Sequence, residues 1–158
     1  MEPFGTAIFC DDVRFELQNK MSLIGTYGSE LILFGSFPAT LPKLGILSSV
    51  RFSKAQRVRG GKILIYLPGD SVDSPSHTHD LSIDLRPEEF PNPDPSDYPD
   101  FPGIYGFNHP LLVSPVVIRQ SGYIRVRGEF EGTTIKIGAL RIREATPGEA
   151  AGGTGKKS

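Results

Sequence analysis

Apolar and polar residues alternate with a period of two through most of the chain, and Gly, Pro, Asn and Asp fall between the alternating runs rather than inside them. That period puts apolar side chains on one face of an extended strand. A helix would need apolar residues three and four apart, and no segment sustains that spacing. Gly (18) and Pro (14) make up about a fifth of the 158 residues, which leaves few stretches long enough for an ordinary helix. The expectation is an all-β domain with no helix longer than about three turns.

Nine strands follow from the runs Thr6 to Leu17, Met21 to Tyr27, Glu30 to Phe34, Leu44 to Phe52, Lys62 to Leu67, His77 to Leu85, Leu111 to Ile118, Gly122 to Phe130 and Thr133 to Arg143. In the first run Ala7, Phe9, Val13, Phe15 and Leu17 share one face. Asp11 interrupts that face, and a β-bulge at Asp11-Asp12 would carry both acids to the surface. In the last run Ile135 and Ile137 occupy odd positions and Leu140 and Ile142 even ones, so a bulge at Gly138-Ala139 is expected to bring all four to one core. Pairing across the Glu131-Gly132 turn sets Arg127 directly opposite Lys136. From Glu88 to Pro102 the alternation gives way to five prolines and five acids without a base, a long acidic Pro-rich loop. Residues 145–158 hold only small, polar and charged side chains and are expected to form a disordered tail behind a single domain of residues 1–144. With no βαβ alternation, an antiparallel β-sandwich fits better than a closed barrel.

Two resemblances bear on the fold. Ser121 to Gly128 followed by Gly138-Ala-Leu-Arg-Ile142 resembles the terminal hairpin of immunoglobulin-like sandwiches. Phe9-Cys-Asp-Asp-Val-Arg-Phe-Glu16, Asn19-Lys-Met-Ser-Leu-Ile-Gly-Thr-Tyr27, Phe37-Pro38 and Gly138 to Ile142 resemble an uncharacterised family of short bacterial proteins, a domain of unknown function. That resemblance spans roughly residues 6–143 and implies a bacterial or phage source and a β-rich domain. It implies no activity.

Catalytic and metal chemistry find little to build on. Cys10, the single cysteine, excludes an intrachain disulfide and reads as a small buried apolar group. His77 and His79 would project from one strand face, the nucleus of a metal-dependent hydrolase, but two histidines are far less specific than a spaced set of four ligands. The acids Asp94, Asp97 and Asp100 lack the spacing and turn glycine of a calcium loop. No cofactor is expected, and no enzyme. No export signal or bilayer-length apolar run appears, so the expected compartment is the cytoplasm and no membrane partner is implied.

Charge is distributed unevenly although it nearly cancels overall, at −1. Between Asp70 and Pro102 nine acids meet one base, Arg86, a local balance of −8 that leaves +7 for the rest. The bases concentrate from Lys43 to Lys62, including Arg57, Arg59 and Lys62, and from Arg119 to Arg143, including Arg125, Arg127 and Lys136. The expected function is a non-enzymatic interaction or structural module. Its basic strand faces and the acids Asp94, Asp97 and Asp100 would engage a protein partner or a second copy of the chain. Nucleic-acid binding by the basic faces ranks second, for want of an overall basic balance and of aromatic residues exposed among the bases.

Overall fold

The computed structural model describes residues 1–152, which form eleven strands and one short helix. They are β1 (Phe4–Phe15), β2 (Met21–Tyr27), β3 (Glu30–Leu33), β4 (Ala39–Leu41), β5 (Leu44–Ser53), β6 (Val58–Tyr66), β7 (His77–Leu85), β8 (Ile104–Val113), β9 (Val116–Ile118), β10 (Gly122–Phe130), β11 (Thr133–Glu144) and α1 (Pro147–Gly152). One sheet has the order β2-β1-β5-β8, a second β3-β11-β10-β6-β7, and β4 pairs with β9 in a small third sheet. The all-β expectation holds. Every pairing is antiparallel except that of β3 with the end of β11, which is parallel and corrects the wholly antiparallel reading.

Eleven strands replace the nine expected, for local reasons. The three residues of β4 lie in a Pro-marked connection. The run from Leu111 to Ile118 is cut at Ser114-Pro115 into the end of β8 and β9. The first part of β8, Ile104 to Pro110, contains Gly106, Asn108 and Pro110 and therefore has the composition of a turn. An edge strand tolerates such residues because only one of its sides must be paired, and β8 pairs only with β5.

The two large sheets share one hydrophobic core. Phe9, Ile46, Val50 and Phe52 contribute from the first sheet, and Ile63, Ile65, Ile124, Val126, Phe130, Leu140 and Ile142 from the second. Phe130 meets Phe52 edge-on at 5.3 Å between ring centroids and Phe107 at 5.9 Å. Its ring lies over Gly128 of its own strand and Gly61 of neighbouring β6, where a Cβ would collide with it. Small residues also set the distance between β1 and β11: a Cβ on Gly138 would lie 2.7 Å from the Cβ of Ala7, and one on Gly5 3.0 Å from Cγ1 of Ile137.

The expected bulge in β11 is present one residue earlier than Gly138-Ala139. Val126 pairs with Gly138 and Arg127 with Lys136, so Ile137 is the extra residue. The shift reverses the parity of the strand, and Ile135, Ile137, Leu140 and Ile142 are all buried. The bulge expected at Asp11-Asp12 does not appear as a register shift. Cys10 pairs with Thr26 and Asp12 with Ile24, and Asp11 and Gly25 drop out of the ladder together. Gly25 takes φ +65°, and the Asp11 carboxylate occupies the space where a side chain on Gly25 would sit. Asp11 is exposed and accepts a hydrogen bond from the Tyr27 hydroxyl.

Alternation breaks at this point. Cys10 Sγ and Val13 Cγ2 both approach the space above Gly45, at 2.7 and 3.1 Å from where its Cβ would be, although they stand three residues apart. Past Cys10, β1 leaves β5 and continues paired with β2 alone, and Val13 comes to lie beside Cys10 over Gly45. Phe15 and Leu17, expected on the buried face, are instead 71% and 89% exposed.

Candidate interaction surface

The outer face of the five-stranded sheet gathers most of the predicted basic residues through its register. Arg125 of β10 pairs with Tyr66 of β6, Arg127 with Leu64, and Glu129 with Lys62. On the other side Arg127 pairs with Lys136, as the hairpin turn predicts. Lys62, Arg125, Arg127 and Lys136 thus project from three adjacent strands on one side. Tyr66 is the platform beneath them. Its ring lies 4.9 Å from the guanidinium carbon of Arg125 and 5.9 Å from that of Arg127, distances at which a cation is attracted to the ring face. The segment after β6 folds over the platform: the Tyr66 hydroxyl donates to the Val72 carbonyl at 3.0 Å, and Arg125 Nη2 donates to the Asp70 carbonyl at 2.8 Å. Where the bulge parts β10 from β11, an open groove runs between Arg125, Arg127 and Lys136, with Ile137 and Gly138 in its lining.

Arg127 and Lys136 are not matched by an acid, whereas Lys62 stands in register between Glu129 of β10 and Asp80 of β7. Among the described residues no carboxylate lies within 4 Å of Arg127 or Lys136, and Glu129 pairs with neither. Other bases are spoken for. Arg57 grips Asp84 through two bonds of 2.9 and 2.7 Å, and Arg86 joins them, which holds the Asp84 carboxyl down at about 2. Arg143 is held between Glu30 and Glu149, and Lys43 reaches Asp12 at 2.7 Å. Arg59 is exposed, and its backbone N–H donates to Glu131 at 2.6 Å. The structure therefore joins Lys62 to the Arg125, Arg127 and Lys136 group and commits Arg57 to an ion pair.

The acidic loop stands elsewhere. Apart from one turn at Pro87–Glu89, residues 86–103 form no helix or strand. Phe90 packs on Tyr105 of β8 at 5.2 Å, while Lys54, just past β5, bonds the Phe90 carbonyl and covers the Phe101 ring at 5.7 Å. Between these anchors Asp94 accepts bonds from the Ser96 backbone and hydroxyl at 2.8 and 2.7 Å, bonds that hold its carboxyl below the usual range. Its own carbonyl accepts from the N–H groups of Asp97 and Tyr98. Asp94, Asp97 and Asp100 are all exposed, and so is half of Tyr98.

The histidines meet in an arrangement that their spacing does not reveal. The ring of His79 of β7 lies 4.8 Å from that of His109 of β8, tilted by 33° across the gap between the two sheets, and His77 is half-buried two residues away. His109 pairs directly with Ser48 of β5. Ser48 Oγ and His109 Nε2 are both buried without a hydrogen-bond partner. Burial and the neighbouring His79 hold the His109 imidazole below its ordinary pKa. His109 lies in the turn-like stretch of β8 and Ser48 in an alternating strand, so neither is singled out by sequence. Among the described residues no three His, Cys, Asp or Glu side chains come together to hold a metal ion.

Within the expected tail, residues 146–152 take up a turn and the short helix α1. Thr146, Pro147 and Glu149 form a capping box: the Thr146 N–H donates to Glu149 at 2.8 Å and the Glu149 N–H to the Thr146 hydroxyl at 3.4 Å. Glu149 then grips Arg143 with two bonds of 2.8 Å. The Thr-Pro-Gly-Glu spacing was the available signal for this turn. Residues 153–158 of the expected tail lie outside the described residues. Among those described, no helix is long and apolar enough to cross a membrane. No family model matches the chain, and no curated protein matches it.

Proposed function

We propose that this chain is a non-enzymatic interaction module, a two-layered β-sandwich whose cationic sheet face receives an acidic polypeptide segment. The observation that carries this reading is the Arg127–Lys136 pair, directly opposed on adjacent strands with no carboxylate within 4 Å of either among the described residues. Like charges across a strand pair oppose folding, and an external anion converts that penalty into binding energy. The groove at the bulge supplies a place for such a segment, and Tyr66 holds two of the guanidinium groups in position before it arrives. A polypeptide suits the face better than a nucleic acid. Tyr66 is covered rather than open for base stacking.

Titration of a fluorescein-labelled deca-aspartate by fluorescence anisotropy tests the reading. The full chain is expected to bind it with an affinity that falls as salt rises, and Arg127→Ala/Lys136→Ala to lose at least tenfold, on the order of 1.4 kcal/mol. No binding, or equal binding by the double variant, overturns the proposal. A single-stranded oligonucleotide that binds where deca-aspartate does not would transfer the face to the nucleic-acid reading.

A further inference from the structure

We infer that the acidic segment received by this face belongs to a second copy of the chain: the turn Asp94 to Asp100 of one molecule docks on Lys62, Arg125, Arg127 and Lys136 of the next. The inference rests on the reading of the cationic face given above and adds the identity of its partner. Charge complementarity is its first support. The turn presents Asp97 and Asp100 without an ion pair, and the face presents Arg127 and Lys136 without one. Each is the charge the other lacks.

Preorganisation is the second support. The turn is pinned at Phe90 and Phe101 and braced by Asp94, so little conformational freedom is lost on docking. At its tip Tyr98 stands half-exposed between Asp97 and Asp100, an aromatic anchor of the kind that guanidinium groups cover, as Arg125 and Arg127 already cover Tyr66. Placement is the third. The loop is anchored on β5 and β8 of one sheet, while the face is formed by β6, β10 and β11 of the other, so knob and socket lie on different parts of the surface. An interface between two different patches is head-to-tail, and it propagates unless the rotation closes a ring.

Sedimentation velocity on the full chain at low and high salt, with two variants, tests this. The first, Asp97→Asn/Tyr98→Ser/Asp100→Asn, removes the knob on an exposed loop. The second, Arg127→Ser/Lys136→Ser, removes the socket. The wild type should form oligomers that dissociate as salt rises. Each variant alone should remain monomeric, with an unchanged far-UV circular dichroism spectrum. Mixed in equal amounts, they should form dimers and nothing larger, because the mixture offers one intact knob and one intact socket per pair. A monomeric wild type, a variant that still associates alone, or a mixture without dimers overturns the inference. If the wild type is monomeric yet binds deca-aspartate, only the identity of the partner falls. If it does neither, the reading of the face falls with it.

Discussion

His109 and Lys136 show how single residues carry free energy that their own strands do not reveal. His109 is held below its ordinary pKa of 6.5 by burial and by His79, so the folded state binds a proton less readily than the unfolded chain. Stability is then fully present above the unfolded value and declines as pH falls through it. Of the groups around the imidazole, His79 faces it from β7 and Ser48 from β5, and neither supplies a negative charge. Chemical denaturation at pH 7.5 and pH 5 should show a loss of stability on acidification, and His109→Leu should lessen that loss. Lys136 presents the opposite case. Lys136→Thr removes a like charge facing Arg127 and should raise stability by about a few tenths of a kcal/mol while weakening the binding of deca-aspartate. Gly128 has no such freedom. A methyl group there would collide with the Phe130 ring, so Gly128→Ala should cost about 1–3 kcal/mol in urea denaturation.

Two elements behave in ways that alternation alone misses. The β1–β2 hairpin loses one residue from each strand at Asp11 and Gly25, and just beyond this break Val13 lies beside Cys10 over Gly45. Cys10 is fully buried and burial raises its thiol pKa, so labelling by a thiol reagent reports opening of this hairpin. Gly25→Ala would drive a side chain into Asp11 at a backbone conformation that alanine resists. It should speed the labelling of Cys10 more than it lowers the melting temperature, and equal effects would mean that Cys10 is exposed only by global unfolding. The C-terminal turn is the second element. Truncation after Glu144 removes the Glu149 clamp on Arg143 but leaves the Glu30 contact. A small drop in melting temperature is expected, shrinking as salt rises, because exposed ion pairs are weak and screened.

Across the whole molecule, order should fall from the middle of each sheet to its edges. Amide exchange is expected to be slowest in β10, β11, β5 and β6 and fastest in the edge strands β2, β3, β7 and β8, whose outer hydrogen-bonding groups are unpaired. The class of the fold was legible because period-two alternation and frequent Gly and Pro leave no other way to bury the apolar residues. The Arg127–Lys136 pairing and the bulge beside it were legible too, since both follow from a tight turn and the parity of one strand. Legibility ended where one segment had to be placed against another far away in the chain. Pairing with a distant strand admits Pro110 into β8 and sets His109 beside Ser48, and neither preference is written in the local sequence. The fate of each charge was decided the same way. Arg57 and Arg127 are equivalent bases in an alternating row, yet Arg57 meets Asp84 of β7 while Arg127 faces Lys136 and has no acid partner. Sequence by itself determined the period, and with it the faces of strands that alternate without interruption, which excludes the end of β1, because those depend on neighbours within a few residues. Only the tertiary structure decided which charges remain without a partner, because an ion pair needs two side chains within a few ångströms and that distance is set by strand order.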